Sequence, residues 1–154
     1  MADPRVLVMI GSESDREQMQ GCVDYLDRFE IPYEFVVSSA HRTPEKTRQY
    51  AQSASERGVR IIICGAGMSA HLPGAVAAET TLPVIGVPLP GSALSGMDSL
   101  QSIVQMPAGV PVATMAIGTA GARNAAIFAA QVIALTDEDT RERLTEFKTE
   151  LASR

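Results

Sequence analysis

Arg5-Val-Leu-Val-Met-Ile10 is a short apolar run, rich in branched side chains and without polar alternation. A strand with one wet face alternates apolar and polar positions, whereas a strand of a parallel sheet is covered on both faces and reads as a continuous apolar run. The stretch therefore predicts a buried parallel strand. Working outward, an amphipathic helix is expected from about Ser14 to Phe29, with Met19, Cys22, Val23, Leu26 and Phe29 on one face. A second strand follows at Tyr33 to Val37. Thr43 and Pro44 read as the N-cap and first residue of a helix that runs to about Glu56 and stops at Gly58. Arg60-Ile-Ile-Ile-Cys64 repeats the buried-strand pattern, followed by a short helix from His71 to Glu79 and a fourth strand from Pro83 to Val87. Met97 to Met106 suits a helix, Val112 to Ala116 a fifth strand, and Ala122 to Leu135 an alanine-rich helix. Thr136 would cap a final helix carrying Leu144, Phe147 and Leu151. Strands joined by helices in this order predict an α/β fold, a doubly wound parallel sheet in a three-layer α/β/α sandwich, with right-handed crossovers.

Composition sets limits consistent with that reading. The chain has 154 residues, enough for one domain spanning 1–154 that buries about two thirds of its unfolded surface. An apolar fraction of 45% argues against disorder. No run approaches the roughly eighteen apolar residues of a membrane span, and the first residues resemble neither a signal nor a transit peptide, so a cytoplasmic location is expected. Cys22 and Cys64 form no CxxC pair and lie in apolar segments, where burial is expected. The net charge of -5 leaves no basic stripe for nucleic acid, although an anionic small molecule needs only local positive groups.

Ligands of such sheets bind outside the carboxyl ends of the strands, which brings three loops to one edge: Gly11 to Asp15, Ser38 to Thr43 and Gly65 to His71. In the first, Gly11-Ser-Glu-Ser-Asp15 opens a helix. Its amides, with Ser12 and Ser14, suit a phosphate, and Asp15 suits the hydroxyls of a ribose; a simple helix cap by one serine is the alternative. In the second, His41 can exchange a proton near neutral pH beside Arg42, which can hold an anion bidentately, or both can be solvated surface groups. In the third, Gly65-Ala-Gly-Met-Ser-Ala70 loosely matches a dinucleotide fingerprint, but the next strand ends Val87-Pro88 without the acidic residue a ribose would need. His71 reads as a helix-start residue whose amide could meet a carboxylate. Nine of the twelve glycines and six of the nine prolines fall between Gly65 and Gly121, so these loops are suited to close backbone approach.

Several site classes fit poorly. Walker A and Gly-x-Ser-x-Gly sequences are missing, and the two histidines lack the carboxylate spacing of a zinc site, so no metal is expected. Tryptophan is absent and the three tyrosines all fall inside predicted elements, which disfavours a flavin. A receiver-type signalling domain would need acidic residues where Gly11-Ser12 and Cys64-Gly65 stand.

Four longer motifs carry a resemblance that covers nearly the whole chain. Gly11-Ser-x-Ser-Asp15, Ser39-Ala-His-Arg-Thr-Pro44, Gly65-Ala-Gly-x-x-Ala-His-Leu-Pro-Gly74 and Ala93-Leu-Ser-Gly-x-Asp-Ser-Leu-x-Ser-Ile-Val-Gln-Met-Pro107 resemble the PurE family, the N5-carboxyaminoimidazole ribonucleotide mutases of purine biosynthesis. Met68-Ser69 replaces a Gly-Ala pair found in many members. The resemblance implies a flavodoxin-like fold assembled as a homo-octamer, a ribonucleotide substrate and no cofactor. Through the matching motifs it implies His41 as the catalytic acid and base, with Gly11, Ser12, Ser14, Asp15, Ser39, Arg42, Gly67, His71 and Leu72 around the substrate. His41 would protonate the carbamate nitrogen as carbon dioxide leaves, and then take the proton from ring carbon 4 once that carbon has captured the gas. The segment Ala70-His71-Leu72-Pro73 is similar to the mutase branch. An aminoimidazole ribonucleotide carboxylase using free carbon dioxide, and a nucleotide-binding module without activity, are the competing readings.

Overall fold

The computed structural model describes residues 2–154. Its five strands are β1 (Val6–Ile10), β2 (Tyr33–Val37), β3 (Ile61–Gly67), β4 (Val84–Leu89) and β5 (Ala113–Thr114). All pair in parallel, in the order β2-β1-β3-β4-β5, which is the flavodoxin-like order. The helices are α1 (Gln20–Arg28), α2 (Pro44–Ser53), α3 (Leu72–Ala77), α4 (Met97–Val104), α5 (Thr119–Ile133) and α6 (Glu138–Ala152).

Strand periodicity divides the core in two. Val6, Val8, Ile10, Ile61 and Ile63 face one way and pack with Cys22, Leu26 and Phe29 of the α1 region, the α5 alanines, and Leu144 and Phe147 of α6. Leu7, Met9, Ile62 and Cys64 face the other way, against Ala51 of α2, Leu72 and Val76 of α3 and Ile103 of α4. β1 is buried at every position, as its unbroken apolar run requires. On α5, Ala122, Ala125, Ala126, Ala129 and Ala130 are buried and small enough for a close helix approach. Gly121 goes further: a Cβ there would lie 1.7 Å from the Ala116 carbonyl oxygen, so only glycine fits.

Several boundaries differ from expectation, each for a local reason. The first helix starts at Gln20, not Ser14, because hydrogen bonds from Asp15 N to Ser12 O, Arg16 N to Glu13 O and Gln20 N to Glu17 O wind the chain as tight turns first. β3 continues to Gly67 and β4 to Leu89, since their pairing persists through Ala66 with Pro88 and Gly67 with Leu89. β5 has two residues where Val112 to Ala116 was expected. Gly86 and Pro88 turn toward β5, their carbonyls accepting from Met115 N and Gly118 N, and Pro88 has no N–H with which to continue the ladder.

Helix ends shift too. α2 closes at Ser53, and a 3₁₀ turn over Ser55–Arg57 leads to Gly58 at φ +89°. α3 spans Leu72–Ala77, inside the expected His71 to Glu79, and α5 begins at Thr119, ahead of Ala122. Thr43 precedes α2 without capping it by its side chain, because its hydroxyl is bonded back to Ser39. Asp137, not Thr136, caps α6, accepting from Thr140 N at 2.8 Å. Leu144 and Phe147 are buried, whereas Leu151 stays exposed one turn beyond the core.

Candidate active site

The register fixes where the loops meet. Ile10 pairs with both Val37 and Gly65, so β1, β2 and β3 run level there and the segments that follow emerge side by side. With the turn after β4 they enclose a cleft of about 870 Å³. Gly11, Ser12, Ser14 and Asp15 line it from the first loop, Ser39, His41 and Arg42 from the second, and Gly67, His71 and Leu72 from the third. All ten residues expected from the sequence thus share one cavity. A second depression, about 520 Å³, lies beside α6; its two arginines are engaged, Arg28 with Glu150 and Arg143 with Glu30, its remaining charges are carboxylates, and it holds neither histidine.

The second loop is braced from within. Thr43 Oγ1 accepts from Ser39 N at 3.0 Å and donates to Ser39 O at 3.1 Å, and beneath them Ser38 and Thr47 join their hydroxyls at 2.7 Å in the core. Ser39 Oγ accepts from Arg42 N at 3.1 Å. Arg42 reaches across to donate to Gly11 O at 3.0 Å, which ties the second loop to the first, and among the described residues its guanidinium has no carboxylate within ion-pair distance. An unpaired guanidinium at the mouth of a cleft is an anion-binding group.

His41 and His71, thirty residues apart, meet in this cleft. Nε2 of His41 lies 2.5 Å from Nδ1 of His71, with ring centroids 4.6 Å apart and planes at 67°. For the two nitrogens to hydrogen-bond, one ring presents N–H and the other a lone pair. His71 stands at the start of α3 as its N-cap residue, the helix-start position read from the sequence, but its amide is spent on Ser69 O at 2.7 Å and its side chain is what faces the site. The tight turn behind that bond follows Met68, which takes φ +55°.

Asp15 is half-buried on the opposite wall. Burial raises its carboxyl above the ordinary value, opposed in part by a backbone hydrogen bond from Ser12 and by the charge of Arg42. The amides of Asp15 and Arg16 are consumed in the turns before α1 and that of Ser12 by the Asp15 carboxyl, which narrows the anion-binding part of that loop to the Glu13 and Ser14 amides and the serine hydroxyls. Both cysteines are free, buried and away from the cleft; burial pushes the Cys22 thiol up to about 12 and the Cys64 thiol up as well, so neither is a ready nucleophile. Among the described residues, no group of three or more His, Cys, Asp or Glu side chains could hold a metal ion.

A family model described as AIR carboxylase matches residues 5–154. The chain belongs to the AIR carboxylase family. A Bacillus subtilis protein named N5-carboxyaminoimidazole ribonucleotide mutase is 57% identical over 143 residues, covering 93% of this chain and 88% of that protein. One of the same name from Escherichia coli K12 is 51% identical over 144 residues, covering 94% and 85%. In three dimensions the chain resembles the crystal structure of Treponema denticola PurE, with a TM-score of 0.88 at 26% identity, covering 97% of this chain and 92% of that one.

Within this AIR carboxylase family member, the cleft also includes residues not singled out from the sequence, chiefly Gln18, Pro90 and Gly91. The signal for the last two was available, because the end of the fourth strand lies on the same sheet edge as the other three. Gln18 gave none: off the apolar face of the helix expected from Ser14 to Phe29, it has the pattern of a solvated helix residue.

Proposed function

We propose that this chain converts N5-carboxyaminoimidazole ribonucleotide into 4-carboxy-5-aminoimidazole ribonucleotide, with His41 as the single acid and base. The observation that carries the reading is His41 set against a second imidazole in a cleft that also holds the unpaired Arg42 guanidinium. The whole described chain acts as one domain. Protonated His41 gives its proton to the carbamate nitrogen as the nitrogen–carbon bond breaks and carbon dioxide leaves. Ring carbon 4 then forms a bond to the carbon dioxide, and neutral His41 removes the proton that carbon carried. His41 ends protonated as it began, so the cycle consumes no cofactor.

Ser12, Ser14 and Asp15 are assigned to phosphate and ribose, and Ser39 and Arg42 to anionic groups of the substrate. Gly11 lines the first wall. Gly67, His71 and Leu72, with the small side chains between them, form the wall that keeps carbon dioxide from water between the two steps. His71, hydrogen-bonded to His41, holds the working imidazole in place. The working form is a homo-octamer in the cytoplasm, a reading supported by exposed apolar side chains on this chain and by the lack, among the described residues, of any helix long and apolar enough to cross a membrane.

The test supplies purified protein with the N5-carboxylated nucleotide, or with aminoimidazole ribonucleotide and dissolved carbon dioxide, and follows the 4-carboxylated product. Conversion of the first alone is expected. Conversion of only the second would assign the chain to carboxylation from free gas, and conversion of neither would leave a binding module. His41→Asn should keep nucleotide binding while turnover drops by about 10²–10⁴-fold; near-normal rates in that variant would remove His41 from the chemistry.

A further inference from the structure

The end of β4 is held by three ties, each from a different part of the chain. Pro88 O accepts from Gly118 N at 2.8 Å, Leu89 O accepts from Ser99 Oγ at 3.0 Å, and Pro90 O accepts from the Gln18 side-chain amide at 3.0 Å. The first two come from the segments that begin α5 and α4. The third crosses the cleft floor from the stretch just before α1, so Gln18 joins the loop carrying Ser12, Ser14 and Asp15 to the turn after β4. Pro90 is itself a fixed point: the Cα of Gly96 and that of Gly118 both back onto it, a Cβ at either lying 3.6–3.7 Å from the nearest Pro90 atom.

The orientation of the Gln18 amide is set by chemistry. Rotating it by half a turn would oppose its oxygen to the Pro90 carbonyl, so Nε2 must face Pro90. Its other atom, Oε1, is then buried with no donor.

We infer that Gln18 is a positioning residue of this site: it straps the turn after β4 to the nucleotide-holding loop and sets the width of the cleft between them. The role rests on the function proposed above for its ligand, but the strap itself does not. Gln18 touches neither His41 nor His71, so its contribution lies in binding and not in the proton transfers.

Two variants test it. Gln18→Met keeps length and bulk without the amide, and Gln18→Glu keeps the shape while setting a carboxylate against the Pro90 carbonyl. Calorimetry with aminoimidazole ribonucleotide, and amide hydrogen exchange of residues 91–96, are measured on the full chain. Loss of the strap should weaken nucleotide binding by about tenfold in Gln18→Met and more in Gln18→Glu. KM should rise in parallel while kcat stays within about twofold, and exchange should quicken in 91–96 but not in β1. Unchanged affinity and exchange in both variants would overturn the inference, as would a fall in kcat at constant KM. If the wild-type protein fails to bind or convert the nucleotide, the proposed function fails, and the exchange of 91–96 still decides whether the strap exists.

Discussion

Asp15 shows that a side chain can serve the site at the expense of the fold. Its carboxyl is half-buried and held above the ordinary carboxylate value, chiefly by burial. The folded chain therefore holds the Asp15 proton more tightly than the unfolded chain does, and stability contributed at this position falls as pH rises from the ordinary carboxylate range through the raised value. Above that window the deficit is constant. Asp15→Asn removes the charge and keeps the shape, so it should raise Tm at pH 7, lose that advantage near pH 3, and weaken nucleotide binding. Thermal unfolding at the two pH values, with binding measured at pH 7, checks all three; equal Tm at pH 7 would mean that Ser12 and Arg42 offset the burial in full. Site residues of this kind were legible because they sit in loops at strand ends. The His41–His71 contact was not, since a distance across thirty residues depends on the Met68 turn and on rotamers that sequence spacing does not encode.

Among elements, strand identity was easier to read than element length. β1 and β3 declare themselves by apolar runs that only a doubly covered strand tolerates. Their ends depend on partners: β3 reaches Gly67 because β4 continues beside it, and β5 stops early because Pro88 cannot donate. Cap choice is similarly contextual. Thr136 and Asp137 are both good N-cap residues, and Asp137 takes the role because it also meets Arg5, 2.7 Å away at the start of β1. Hydrogen bonds from Thr140 first, and then from Arg5, hold the Asp137 carboxyl down at about 2. A depressed value means that its contribution is complete above the ordinary range and is lost as pH falls toward 2. Asp137→Ala should cost about 1 kcal/mol at pH 7 and lower Tm by about 2–4 °C. The gap between variant and wild type should close between about pH 4 and pH 2, and a gap that persists at pH 2 would show that the loss comes from packing instead.

At the scale of the whole molecule, an isolated chain leaves unexplained apolar surface. Leu94 is 61% exposed, Met97 49% and Val104 50%, all on the outer side of the β4–α4 region, and Phe128 and Leu135 are exposed on or just beyond α5. Leu94, Met97 and Val104 belong to the glycine- and proline-rich stretch from Gly65 to Gly121, and exposed apolar groups of this kind mark a surface suited to contact with another chain. The α4 group also follows the turn that Gln18 straps, so an assembly through this face would share an element with the site. A closed homo-oligomer would cover this surface, because symmetry lets each chain present and receive the same patches. On the octamer proposed above, light scattering in solution should give eight times the 16.4 kDa chain mass. Met97→Glu together with Val104→Glu should shift the protein to smaller species and raise KM as the α4 region loses its support. A wild-type monomer, or a doubly substituted protein that keeps both mass and KM, would separate this apolar face from assembly and leave the cleft complete within one chain.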